Sequence, residues 1–229
     1  MNSKTGQLIC IWSGPVGLAI FGIGLWPLAH FLPPLMPSAS ADAIAAIYSA
    51  DTLGIRLGAM LMMLGVSMLA PMFGAITVML KRIEGENAPY AATQLLSAAI
   101  VLTPLMLGAL IFTVAAFRPE RAPEATQMLN DLGWITLVTP GAPFFVQAMA
   151  IGLAILGDKG AAPVMPRWSG YLTLWLAVLA LPGALAILFK TGPFAWNGLL
   201  AFWLPFGLFS GWGFMMAFLM TNAVKRYKA

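Results

Sequence analysis

Six stretches of the sequence, at about 8–32, 55–80, 94–117, 134–156, 170–190 and 197–222, carry no Asp, Glu, Lys or Arg in their middles. Each is long enough to cross the hydrocarbon core of a bilayer, which takes about 20 apolar residues in a helix. Inside lipid, backbone polar groups must find partners within the protein, which leaves helices or a closed barrel. Barrel strands show segments of about ten residues in alternation, and these runs do not alternate. Only 9% of the residues are charged and the mean hydropathy is +0.87, whereas soluble domains carry roughly 25% charge. The expected fold is an all-α integral membrane protein in which residues 1–229 form one polytopic domain. It is a bundle of six kinked transmembrane helices, with short amphipathic helices in the two long outer loops.

The apolar run at 8–32 follows Lys4 and precedes Ala39-Ser40-Ala41, which has the look of a signal-peptide cleavage site. It exceeds the 7–15 residues or so of a signal-peptide core, so a retained first span is expected. Lys and Arg distribute unequally between the two sides. One side holds Lys4, Lys81, Arg82, Lys159, Arg167, Lys225, Arg226 and Lys228; the other holds Arg56, Arg118, Arg121 and Lys190. The positive-inside rule then places both termini in the cytoplasm and the spans in a cell (inner) membrane. Basic residues in this arrangement report orientation, and nucleic acid is not an expected partner.

The densest charge in the chain lies within 117–143. Arg118, Glu120, Arg121, Glu124 and Asp131 form an outer-face polar cluster of mixed sign, expected to be held by local ion pairs. Pro123 and Glu124 suit the first turn of a short amphipathic helix striped by Met128, Leu129 and Leu132, and Gly133 could end it. In the other long loop, Ser38 or Ser40 can cap a helix whose Ile44, Ile47 and Tyr48 share a face. Such pieces either anchor at the interface or lie over the bundle.

The fourth span is interrupted by Thr139-Pro140-Gly141-Ala142-Pro143. Prolines there would strip the carbonyls of Thr136 and Thr139 of their helical partners, leaving side chains of Thr136, Thr139 or Gln147 to respond. Broken helices line binding sites in transporters, so Thr136, Thr139, Pro140, Pro143 and Gln147 are the ligand-lining candidates. The last span carries Phe202, Trp203, Phe206, Phe209, Trp212, Phe214 and Phe218, which can line an apolar pocket or face lipid. Gly207-Leu208-Phe209-Ser210-Gly211 is a small-xxx-small pattern that permits close helix approach.

Several activities are disfavoured by what the spans lack. Ion-coupled transport usually needs an ionisable group at mid-membrane, and none is present. His30 is the only histidine and Cys10 the only cysteine, which removes a two-histidine haem, a histidine zinc site and any intrachain disulfide. Met68 and Met72, and again Met216 and Met220, share helical faces, but flexible apolar filling accounts for them better than copper binding. No cofactor, metal or catalytic residue is expected. The residues point to a non-enzymatic membrane protein that binds or passes an apolar small molecule or lipid. The competing expectation is an accessory subunit of a larger membrane complex, partnered by another chain or a second copy of itself.

Overall fold

The computed structural model describes residues 3–226. Its helices are α1 (Ser3–Ile23), α2 (Ala41–Ala50), α3 (Thr52–Glu84), α4 (Pro89–Phe117), α5 (Pro123–Val138), α6 (Gly141–Gly157), α7 (Arg167–Ala180) and α8 (Leu204–Arg226). A π turn (Gly24–Leu28) extends α1, a 3-10 segment (Leu181–Leu188) extends α7, and a second π turn (Leu199–Trp203) leads into α8. They make six spans long and apolar enough to cross a membrane: Lys4–Leu28, Thr52–Glu84, Pro89–Phe117, Pro123–Gly157, Arg167–Leu188 and Leu199–Arg226. The chain is an all-α membrane bundle.

The spans form a ring in the order α1, α3, α4, α6, α7, α8. At about 1.5 Å per residue, the 33-residue α3 is roughly 50 Å long and exceeds the apolar core of a bilayer. Its contact with antiparallel α1 is made backbone to backbone. A Cβ on Gly17 would come 2.5 Å from the Gly65 carbonyl oxygen, and one on Gly65 would come 2.5 Å from that of Gly17. One heptad along each helix, Gly24 and Gly58 repeat the arrangement. Without these glycines the axes could not approach so closely, and van der Waals packing is what holds helices together where water gives no drive.

The two long loops and α2 close one end of the ring, here called the lid end; the termini lie at the other. Ser40 caps α2 by accepting from the Ala43 amide at 3.3 Å, and Asp51 caps α3 by accepting from the Gly54 amide at 2.8 Å. Ile44 and Tyr48 are buried. The Tyr48 hydroxyl donates to Asn130 Oδ1 at 3.2 Å, so α2 lies over the bundle. The loop before α2 is tied down by Gln127 donating to the Ala39 carbonyl at 2.9 Å and Trp196 donating to the Leu35 carbonyl at 2.8 Å. At the termini end the turns are closed by carboxylates. Glu84 accepts from the amides of Tyr90 and Ala91, and Asp158 from those of Gly160 and Val164.

Gly133 does not end the amphipathic helix of the second loop. That helix is the first part of α5 and runs on to Val138, because Gly133 is where α5 crosses α4. A Cβ on Gly108 would come 3.0 Å from the Gly133 carbonyl oxygen, and one on Gly133 would strike the Phe112 ring. The first span is also shifted, ending at Leu28 and not at 32.

Candidate functional site

Four of the six spans depart from regular α-helix in the half of the bundle nearer the lid, the first in its closing π turn, and the interruptions of the fourth, fifth and sixth meet. Pro140 has no amide hydrogen for the Thr136 carbonyl, so the fourth span breaks there and restarts as α6. Pro143 falls in the first turn of α6, where amide hydrogens lack helical partners anyway. Pro182 is the second residue of the 3-10 segment after α7, and Pro205 follows the second π turn. Gly141 presses its backbone onto the Ala180 carbonyl, and a Cβ on Gly183 would come 2.8 Å from the Val138 carbonyl oxygen and 3.5 Å from that of Ala201. Glycines thus lock the three breaks together.

Beside this junction is an apolar cavity of about 140 Å³. Its wall takes residues from every span: Phe21 from α1, Leu69 from α3, Val101 from α4, Leu137 from α5, Phe144 from α6, Ala180 from α7 and Phe202, Phe206 and Phe209 from the last. The cavity lies where α8, which packs mainly on α1 and α7, meets α6 through aromatic side chains, Phe209 and Trp212 standing against the Phe144 ring at 5.3 and 6.1 Å. Its only side-chain hydroxyl belongs to Ser210 and donates to the Phe206 carbonyl at 2.8 Å. Nothing in the wall offers an acid, a base or a nucleophile, and among the described residues no three His, Cys, Asp or Glu side chains converge. What such a space can do is hold hydrocarbon.

Both axial ends are filled. Towards the lid, Trp134 is wholly buried among the rings of Phe112, Phe31 and Phe202, at 5.2, 5.8 and 6.0 Å between centroids. Phe31 in turn meets Tyr48 at 5.7 Å. Burial, then the Asp131 carboxylate, push the Tyr48 phenol well above its ordinary pKa, so it remains a hydrogen donor. Towards the termini, Gln94 donates to the Phe73 carbonyl at 2.9 Å and to Thr77 Oγ1, and Gln147 donates to Gln94 Oε1 at 3.4 Å. Gln94 and Gln147 are both completely buried. Trp134 Nε1 and Gln147 Oε1 have no hydrogen-bond partner among the described residues, and each such group costs about 1–3 kcal/mol. Reversing both amides of the Gln94–Gln147 pair would turn the orphan acceptor into an orphan donor, not remove it.

Of the five ligand-lining candidates, Pro140 alone is in the cavity wall. Thr139 Oγ1 donates to the Ile135 carbonyl at 2.7 Å, and Gln147 turns to Gln94, so neither serves the carbonyls expected to be freed. Thr136 and Pro143 are half-buried outside the wall. Among the described residues no ion pair forms in the outer-face cluster, and Arg118, Glu120 and Glu124 are exposed. Arg121 instead donates to the carbonyls of Val114 and Ala115 at 3.2 and 3.5 Å, covering the C-terminus of α4. Asp131 accepts from Asn130 Nδ2 at 3.2 Å. His30 pairs with Asp51 at 3.6 Å, at the surface.

The aromatics of the last span divide by helical phase. Phe202, Phe206 and Phe209, at spacings of four and three, face the cavity, while Trp203, Phe214 and Phe218 are exposed. That spacing was the signal for the wall. Phe144 and Val101 carried none, because any apolar residue of a span looks alike without its neighbours. No protein-family model, curated protein or solved structure matches this chain.

Proposed function

We propose that this multi-pass membrane protein binds an apolar small molecule or lipid in the cavity beside α8, without chemistry of its own. The observation that carries the reading is the junction of three broken spans around a space with an almost wholly apolar wall. Close-packed interiors leave few voids larger than a water molecule, and an apolar cavity of about 150 Å³ is large enough for benzene. Binding is favoured over passage, since aromatic rings fill the lid end and the buried glutamines the other. The termini are proposed to be cytoplasmic, in a cell (inner) membrane, from the eight-to-four excess of Lys and Arg on their side.

The test is mass spectrometry of the protein purified in mild detergent. The wild type should retain an apolar compound in stoichiometric amount. Val101→Phe and Leu137→Phe, each adding a ring to the wall, should lose it while remaining folded. A wild type that carries nothing, or variants that carry as much, would refute the reading.

A second reading, an accessory subunit of a larger assembly, is favoured by one observation. Gly207 and Gly211 are exposed, and a Cβ at either would meet nothing. Chemical cross-linking in native membranes would separate the two, by returning a defined partner or only the monomer.

A further inference from the structure

We infer that the occupant of the cavity is the hydrocarbon tail of a bilayer lipid, which enters sideways between α1 and α8 while its headgroup stays outside the bundle. This rests on the apolar-binding reading above and adds the ligand class and the route.

Both axial routes are closed by buried side chains: Trp134 and Phe31 at the lid end, and Gln94, Gln147 and Phe73 at the other. The lateral side differs. Leu18 and Phe21 of α1, and Pro205, Phe206, Phe209 and Ser210 of α8, line the cavity and are each half-exposed. They border the cavity on its less covered side, and Leu18 also marks where α8 closes on α1 towards the termini, since a Cβ on Gly213 would come 2.8 Å from its Cδ1. At this depth what adjoins a gap between two spans is lipid tail, not water.

The wall then selects what can come in. A headgroup would need donors or acceptors, and the one hydroxyl present is committed to the Phe206 carbonyl. A polar group taken from water into such a space without a hydrogen bond is strongly penalised. A methylene chain meets no such cost, and the volume suits a chain segment, not a whole lipid. The rim is also the part of the bundle best able to adjust. On the α8 side it follows a π turn, and on the far side of the helix a Cβ on Gly207 or Gly211 would meet nothing.

The experiment uses the full chain in nanodiscs of phosphatidylcholine bearing a diazirine in one acyl tail, with labelled residues mapped by peptide mass spectrometry after photolysis. Exposed residues such as Leu96 and Trp175 will label in any case. The diagnostic residues are Val101 and Phe144, which are 3% and 5% exposed and line the cavity. Both should label, and should fall to background in Ser210→Trp and, independently, in Leu18→Trp, with Leu96 and Trp175 unchanged. If Val101 and Phe144 do not label although mass spectrometry finds a bound apolar compound, the lateral lipid route is wrong and the binding reading stands. If they do not label and no compound is found, both fail. Undiminished labelling in folded rim variants also overturns the route.

Discussion

Two helix faces in this protein carry glycines at close intervals, and only one of them is used. Gly17 and Gly24 of the first span meet Gly65 and Gly58 of α3 backbone to backbone, while a Cβ on Gly207 or Gly211 of α8 would meet nothing among the described residues. Glycine permits a close approach; it does not cause one. The first pair of helices has matching glycines a heptad apart in antiparallel register, so each absent side chain is answered by a backbone on the other side. The outer face of α8 has no such answer among the described residues, and the cavity lies on the other side of the helix, where Phe206 and Phe209 line the wall.

Substitutions can break that contrast, and the largest effect belongs to the zipped face. Gly65→Leu must drive a side chain into the Gly17 carbonyl, which cannot yield because it is backbone. A loss on the order of 3 kcal/mol is expected, at the upper end of overpacking costs, and thermal unfolding in detergent would show it. An unchanged midpoint would mean that α1 and α3 are not held this closely.

The next effect concerns the polar clamp between α4 and α6. Gln94→Leu removes the donor to Phe73 and Thr77 and leaves Gln147 with no partner at all. It should cost about 1–2 kcal/mol. The double variant with Gln147→Leu should recover part of this, since it removes the orphan too. A double-mutant cycle with no coupling would dissolve the clamp.

Smaller again is the anchor of α8 at its firm end. Trp212 Nε1 donates to Thr173 Oγ1 at 3.0 Å, and Trp212→Phe should cost about 1 kcal/mol, within the range for hydrogen bonds between membrane helices. The smallest effect is expected on the open face. Gly207→Ala and Gly211→Ala should leave unfolding unchanged or raise it slightly, as alanine is the better helix former by up to about 1 kcal/mol. A marked loss at either position would mean that another chain covers this face in the membrane.

How much of this was legible in the sequence follows from the same physics. The spans were, because lipid demands long uncharged runs and little else produces them. The break at Pro140 was legible too, since proline acts on its own helix. The sequence places the start of the fourth span at 134, after a separate short helix that Gly133 could end, whereas the span begins at Pro123 and runs through Gly133. In the folded chain Asn130 is buried and bonded to Tyr48, 82 positions away. Arg121 was read as half of an ion pair and caps α4 instead, a role that depends on where the turn returns the chain. Of the site, the sequence offered the phase of Phe202, Phe206 and Phe209 and the fact of broken helices. It could not show that Gly141 would lie on Ala180 and Gly183 beside Val138, which brings the breaks together.

The most direct test of a hydrocarbon-filled space beside α8 is a density map of the protein in lipid nanodiscs. The expected result is elongated density bounded by Val101, Phe144, Phe202 and Phe206, continuous through the gap between α1 and α8 with the surrounding lipid. An α8 packed directly on α4 and α6, with no space between them, would contradict it.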